Sequence, residues 1–476
     1  MPTNRVKLAP AAAGLAQGFK RIKESMELPG DFPPEVLEEA ERIALRDPEQ
    51  SDLHRPRLDV DLITIDPAGS KDLDQAFGAV EEADGYMVRY AIADPAVFVD
   101  PGGAVDREAR KRGQTLYAPD GRIPLYPPAV SEGAASLLAN QVRPAVLWEL
   151  SLDERAVPRS VTASRALVRS RQQLSYEEAQ AEMDGGSPRE SLRLLEVVGR
   201  LRQDRERERG GIHVELPDQE VLGASEGYRL EFRGPLPVED LNAQISLMTG
   251  MAAAQLMLAG GVGLLRTMPP PKAETLERLR SSARALGLPW PKDVSYQALL
   301  RALDPSIPRD AAFMTTALRL FRAAEYVAFD GSRPADADHH AIAAPYAHVT
   351  APLRRLADRV ANEVALALCA GQRPPAWAID ALPDMPHAMK EAHRRAGELE
   401  RRVIDFVEAW VLKPSVGRTF QAVVVEAGER SGTVQLKDRP VLAHCGSAGL
   451  TLGAEVEVRL TMSDPARAKL EFELVR

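Results

Sequence analysis

The chain has 476 residues, 45% of them apolar and 27% charged, too many for one hydrophobic core and therefore expected to form two or three domains. A formal net charge of -9 argues against indiscriminate polyanion binding by the whole surface, while leaving room for a groove with a local excess of arginine. Two cysteines, Cys369 and Cys445, exclude a disulfide framework and a thiolate zinc site, and no run of about 18 apolar residues offers a membrane span; a cytoplasmic protein without membrane contact is expected.

In chain order, residues 1–58 read as helical. "AAAGLAQGFKRIKESM" repeats apolar positions at three- and four-residue spacings, and "PPEVLEEAERIAL" opens with prolines suited to a first helical turn. The pair suits a small helical module, helix-turn-helix-like in its simplest form. From residue 59 the pattern turns to short strands, "VDLITID", "GYMVRYAIA" and "AVLWELSLD", and after about residue 175 to long helical stretches. A strand-rich half followed by helices indicates one large α+β domain over 59–412 rather than alternating βαβ units. No glycine-rich phosphate loop appears. The segment "PHAMKEAHRRAGELERRVIDFVEAWVL" is a long helix with Met389, Ala396, Leu399, Val403, Phe406 and Trp410 at core spacings. Residues 413–476 alternate like a five-stranded OB barrel, a fold that often binds single-stranded nucleic acid.

Chemistry concentrates in "TIDPAGSKDLDQAF", residues 64–77, where Asp66, Asp72 and Asp74 are walled in by Ile63, Ile65, Leu73 and Phe77. Asp72 and Asp74, two apart, share a side on extended backbone, and Asp66 folds over to join them across a turn. Carboxylates this close repel by about 4 kcal/mol per pair at an effective dielectric near 20, and a divalent cation resolves the conflict. All-oxygen ligation selects magnesium, with manganese as the alternative, and such a site serves in-line attack of water on a phosphodiester. The same spacing also suits an acidic turn that stays hydrated or caps a helix. An aspartyl phosphatase reading ranks lower, because that motif wants Thr or Val where Ala76 stands.

This stretch resembles the signature T-I-D-x(5)-D-x-D-D-A of the RNase II/RNase R (RNB) exoribonucleases. The likeness continues through "YAIADPAVFV", "LYAPDGRIPLYPPAVSEGAASLLANQVRP" and "YAHVTAPLRRLADR", the last similar to the family's Y-x-H-F-T-S-P-I-R-R-Y-x-D. The resemblance implies an RNB catalytic domain with a carboxy-terminal S1-type OB barrel. It implies a processive 3′→5′ exoribonuclease, monomeric and without organic cofactor, that hydrolyses single-stranded RNA to nucleoside 5′-monophosphates with magnesium. By motif position, Asp66, Asp72 and Asp74 would be the acidic catalytic residues, with Gln75 completing the metal set, and Arg354 would contact the scissile phosphate. Tyr117 would stack on a base near the 3′ end, Tyr176 would lie near the last nucleotide, and Glu239 would reach the terminal ribose. Arg355 would support RNA binding.

The chain departs from the pattern at Gln75, where a fourth aspartate is usual, at Ala351, at Leu356 and at Val214, which takes the place of a second stacking aromatic. Residues 1–58 are also too few for the cold-shock barrels that usually open such chains. The competing expectation is an RNB-fold RNA-binding adaptor weakened by Gln75. Arg159, Arg165, Arg169 and Arg171 are candidates for an RNA groove. Taken alone, Arg354 also suits an ordinary salt bridge to Asp358 one helical turn on, and His348 reads as a hydrogen-bonded structural residue.

Overall fold

The computed structural model describes residues 7–8, 13–47, 55–212, 218–224, 227–304, 307–317, 324–439 and 441–475. Val214 lies outside them. Within the described residues no helix is long and apolar enough to cross a membrane.

The strand-rich half closes into a barrel, which its sequence pattern alone does not reveal. Strands Leu62–Asp66, Gln75–Glu82, Gly85–Ala93, Val142–Asp153 and Pro158–Ser175 follow one another around it. The last strand closes the ring by pairing parallel to the first, from Leu62 opposite Ser170 to Asp66 opposite Ser175. Both faces are covered along much of the wall, so Tyr90 to Ala93 are buried continuously instead of alternating. Trp148, fully buried, donates from Nε1 to Asn362 Oδ1 at 3.3 Å, and Asn362 Nδ2 donates to the Val349 carbonyl at 2.7 Å. That pair of bonds ties the barrel to helix Leu356–Cys369 and to the segment preceding it.

Helix Pro237–Gly260 is apolar around most of its circumference, which marks it as a buried helix. Its Gly250 is a point of close approach: the Gly250 carbonyl accepts from Ala347 N–H at 3.0 Å, and a Cβ there would stand 2.2 Å from the Tyr346 ring. Any larger residue would push residues 346–355 off the barrel.

The two amino-terminal helices enter different cores. In helix Ala13–Ser25, Phe19 meets Phe406 of the long helix Met385–Leu412 edge to face at 5.5 Å. Helix Pro34–Ala44 instead buries Val36, Ala40 and Ile43 in the core of the first barrel. Met389, Leu399, Val403 and Phe406 of the long helix are buried as their spacing requires. Strands Thr419–Ala427, Gly432–Leu436, Leu442–Cys445, Glu455–Asp464 and Lys469–Leu474 form the second closed barrel, as the alternation predicts. Both cysteines are free.

Candidate active site

The acidic loop leaves the barrel at Asp66 and rejoins it at Gln75. Its backbone is held by a distant segment: Leu73 N–H donates to Ser136 Oγ at 3.0 Å, Ser136 Oγ donates to the Lys71 carbonyl at 2.7 Å, and Leu137 N–H donates to the Leu73 carbonyl at 3.1 Å. Ser136 is fully buried, so its hydroxyl replaces the water these polar groups would otherwise need.

Asp74, 2% exposed, sits where the loop meets the segment 346–355. Its Oδ1 accepts from Leu353 N–H at 2.7 Å and its Oδ2 from Arg354 Nε at 3.0 Å. Burial raises the Asp74 pKa to about 7 against the opposing pull of Arg354 and the Leu353 N–H. Asp66 is likewise raised to about 7 by burial, with Arg354 opposing and Asp72 adding to the rise. Its Oδ2 is buried without a hydrogen-bond partner. Asp72 pairs with Arg122, which also meets Glu132 at 2.7 Å. Gln75 Nε2 donates to the Thr350 carbonyl, so this side chain links the barrel to the arginine segment.

Arg354 is fixed from both sides. Thr115 N–H donates to its carbonyl at 2.9 Å, and Leu356 N–H donates to Gly113 at 3.0 Å. The local ion pair with Asp358 does not form. Asp358, 0% exposed, instead takes Arg355 in a two-pronged contact at 2.9 and 2.8 Å and accepts from Ala351 N–H at 2.7 Å. One buried carboxylate thus ties down the turn that presents Leu353 and Arg354.

The three aspartates do not stand as a ready metal cage: among the described residues no group of three or more His, Cys, Asp or Glu side chains is arranged to hold a metal ion. Asp72 and Asp74 are each engaged by a guanidinium group. Magnesium, however, is commonly held by one or two carboxylates, with water and substrate phosphate completing its shell. The unpartnered Oδ2 of Asp66 and the neighbouring Asp72 fit that requirement.

The aromatic candidates sit beside the same arginine. Tyr117, 46% exposed, lies on the hairpin Leu116–Ala118 and Gly121–Ile123, and Tyr176 opens helix Tyr176–Asp184, which Ser175 caps through Glu178 N–H at 3.1 Å. Both tyrosines contribute to the electrostatic surroundings of Arg354. Glu239 Oε1 accepts from Leu236 N–H at 3.1 Å at the start of helix Pro237–Gly260, so this carboxylate also serves as a helix cap. His348 is half-buried, and its Nδ1 lies 2.6 Å from Tyr326 Oη. Desolvation drives its pKa well below the usual histidine range. Arg165 does not line a groove: it is absorbed by a buried network with Asp94 at 2.8 Å and Glu363 at 2.5 Å.

The RNB domain family matches residues 57–369, and the C-terminal S1 domain of RNase II-type exonucleases matches residues 418–475. The chain belongs to the RNB family. Its RNB relatives include ribonuclease R of Aquifex aeolicus, 27% identical over 95% of this chain and 70% of that protein. Ribonuclease R of Escherichia coli is 26% identical over 94% of this chain and 61% of that one. The solved structure of Mycoplasma genitalium RNase R in complex with ribose-methylated single-stranded RNA superposes with a TM-score of 0.86 at 18% identity, covering 97% of this chain and 78% of that chain. Yeast Ssd1, described as a pseudonuclease, superposes with a TM-score of 0.71 at 17% identity, covering 96% of this chain and 58% of that one. Within the RNB domain, sequence reasoning missed Arg122, Glu132 and Ser136. Arg122 had one local signal, a cation just after the turn "PDG" in the same hairpin as Tyr117.

Proposed function

We propose that this RNB protein is a magnesium-dependent exoribonuclease that degrades single-stranded RNA processively from its 3′ end to nucleoside 5′-monophosphates. The observation that carries the reading is the contact of Arg354 with Asp74 beside the unpartnered Asp66 Oδ2. The ribonuclease R relatives support RNA as substrate.

In this reading Asp66 and Asp72 would hold the divalent ion, which would supply charge neutralisation at the scissile phosphate and acidify the attacking water. Asp74 acts through Arg354, fixing its Nε so that a guanidinium 35% exposed is aimed at the phosphoryl oxygens before substrate arrives. Arg355 serves as a positioning residue, holding the turn against Asp358. Tyr117 stacks on a base near the 3′ end, Tyr176 flanks the terminal nucleotide, and Glu239 accepts from its 2′-hydroxyl, the group that separates RNA from DNA. Gln75 tunes the site as a link to Thr350. We further propose a cytoplasmic monomer divided into residues 1–58, 59–412 and 413–476.

A second reading, an RNA-binding adaptor with little activity, is favoured by Gln75 and by the pairing of Asp72 with Arg122. The two part on one assay: purified protein with 5′-labelled single-stranded RNA and magnesium, with EDTA and Asp74→Asn as controls. A one-nucleotide ladder shortening from the 3′ end, absent in both controls, supports the nuclease. Intact RNA in a shifted band supports the adaptor.

A further inference from the structure

We infer that Arg122 is a resident counter-ion of the acidic site: it occupies Asp72 when no metal is bound, is transferred wholly to Glu132 when a divalent cation arrives, and thereby couples metal loading to the Tyr117 hairpin. The inference rests on the metal-dependent reading above.

Three observations carry it. Arg122 Nη1 contacts Asp72, while Nη2 contacts Glu132 Oε1 at 2.7 Å, so one guanidinium is shared between two acids. The three side chains are 24%, 11% and 21% exposed respectively, so neither contact is dissolved in bulk water. Arg122 is also the register partner of Tyr117 in the two-stranded hairpin, and directly opposed residues of an antiparallel pair project from the same face. The hairpin therefore overhangs the site with a cation and an aromatic ring side by side.

A divalent cation and a guanidinium on one carboxylate repel each other, and in a partly buried site the repulsion is poorly screened. An ion on Asp72 therefore weakens the Arg122 contact, which uses Oδ1 alone, and favours withdrawal of the guanidinium. Glu132 provides a second carboxylate already in contact, so the guanidinium moves without being left unpaired. The hairpin is anchored elsewhere by Thr115 N–H to the Arg354 carbonyl at 2.9 Å and by Lys23 to Asp120 at 2.7 Å. The Arg122–Asp72 contact is thus the part that ion loading releases, and the hairpin that carries Tyr117 is the element whose dynamics it changes.

The test is direct binding of Mn²⁺ to the full chain, read by paramagnetic resonance of the free ion without RNA or turnover. Arg122→Met keeps the apolar stem and should bind Mn²⁺ about tenfold tighter than wild type, a difference of ~1.4 kcal/mol. Arg122→Lys should stay near wild type, and Glu132→Gln, which removes the landing site, should weaken binding. Because Glu132 acts through Arg122, its substitution should have little effect in the Arg122→Met background, whereas simple through-space charge effects would add. Hydrogen exchange gives an independent readout: Mn²⁺ should speed exchange in residues 116–123 of wild type and leave Arg122→Met, already released, unchanged. Thermal unfolding checks that each variant is folded. Equal Mn²⁺ affinity in wild type and Arg122→Met, or an additive cycle, overturns the counter-ion role while leaving the nuclease reading intact. Absence of any Mn²⁺ binding abolished by Asp66→Asn overturns both.

Discussion

Arg354 and Asp74 meet at 3.0 Å although 280 residues of chain separate them. The contact joins the two motifs at the centre of the site and leaves Asp74 with both oxygens satisfied. Replacing Arg354 with Ala should lower the maximal cleavage rate by about 10²–10³-fold, the usual cost of removing one preorganised donor. It should also cost about 1–3 kcal/mol of stability, because a buried carboxylate oxygen loses its partner. Arg354→Lys should recover part of the stability and little of the rate, since an ammonium lacks the fork that serves carboxylate and phosphate together. Single-turnover kinetics and urea unfolding separate the two effects. A lysine variant with full rate would sink the assignment.

Asp358 organises the turn without facing substrate. Asp358→Asn leaves Arg355 short of its partner and should cost about 3 kcal/mol. The cleavage rate should fall by at least tenfold, with the affinity for single-stranded RNA in EDTA nearly unchanged. A drop in RNA affinity equal to the drop in rate would mean that Asp358 or Arg355 contacts RNA after all.

The pH dependence of stability follows from Asp66. Its folded pKa is raised to about 7 from an ordinary 3.8, so the folded state binds this proton more tightly than the unfolded chain does. The stability it contributes is complete below pH 3.8 and is lost as pH rises through about 7. In EDTA, wild type should therefore lose roughly 2–4 kcal/mol relative to Asp66→Asn between pH 4 and pH 8. Magnesium should reverse the loss at the alkaline end, and its half-saturating concentration should rise as pH falls from 8 to 6, where protons compete for the same oxygens. Denaturant midpoints that run parallel for the two proteins across this range would contradict the burial of an unpartnered carboxylate.

Gln75 holds the Thr350 carbonyl through its amide, a bond that a carboxylate cannot make. Gln75→Asp should thus destabilise the metal-free protein by about 1–3 kcal/mol, with magnesium restoring more of that loss than it adds to wild type. Thermal midpoints with and without magnesium decide the matter. Equal midpoints for the two proteins in EDTA would show that the link to Thr350 contributes nothing.

Local pattern determined a good deal here. Alternating and helical spacings placed the long helix and the second barrel, and apolar residues around Asp66, Asp72 and Asp74 announced carboxylates destined for a partly buried pocket. These are consequences of backbone periodicity, which is written within a few residues. The choice of charge partners was decided elsewhere. A helical-spacing rule offers Asp358 to Arg354, yet Asp358 binds Arg355 and Arg354 crosses to Asp74. Asp72 and Asp74, neighbours in sequence, end with different arginines. Closure of the first barrel likewise depends on Leu62–Asp66 pairing with a strand about a hundred residues on. Which charges lose their water together, and so must neutralise one another, is set by the surfaces that meet when distant segments pack, and that information exists only in the assembled fold.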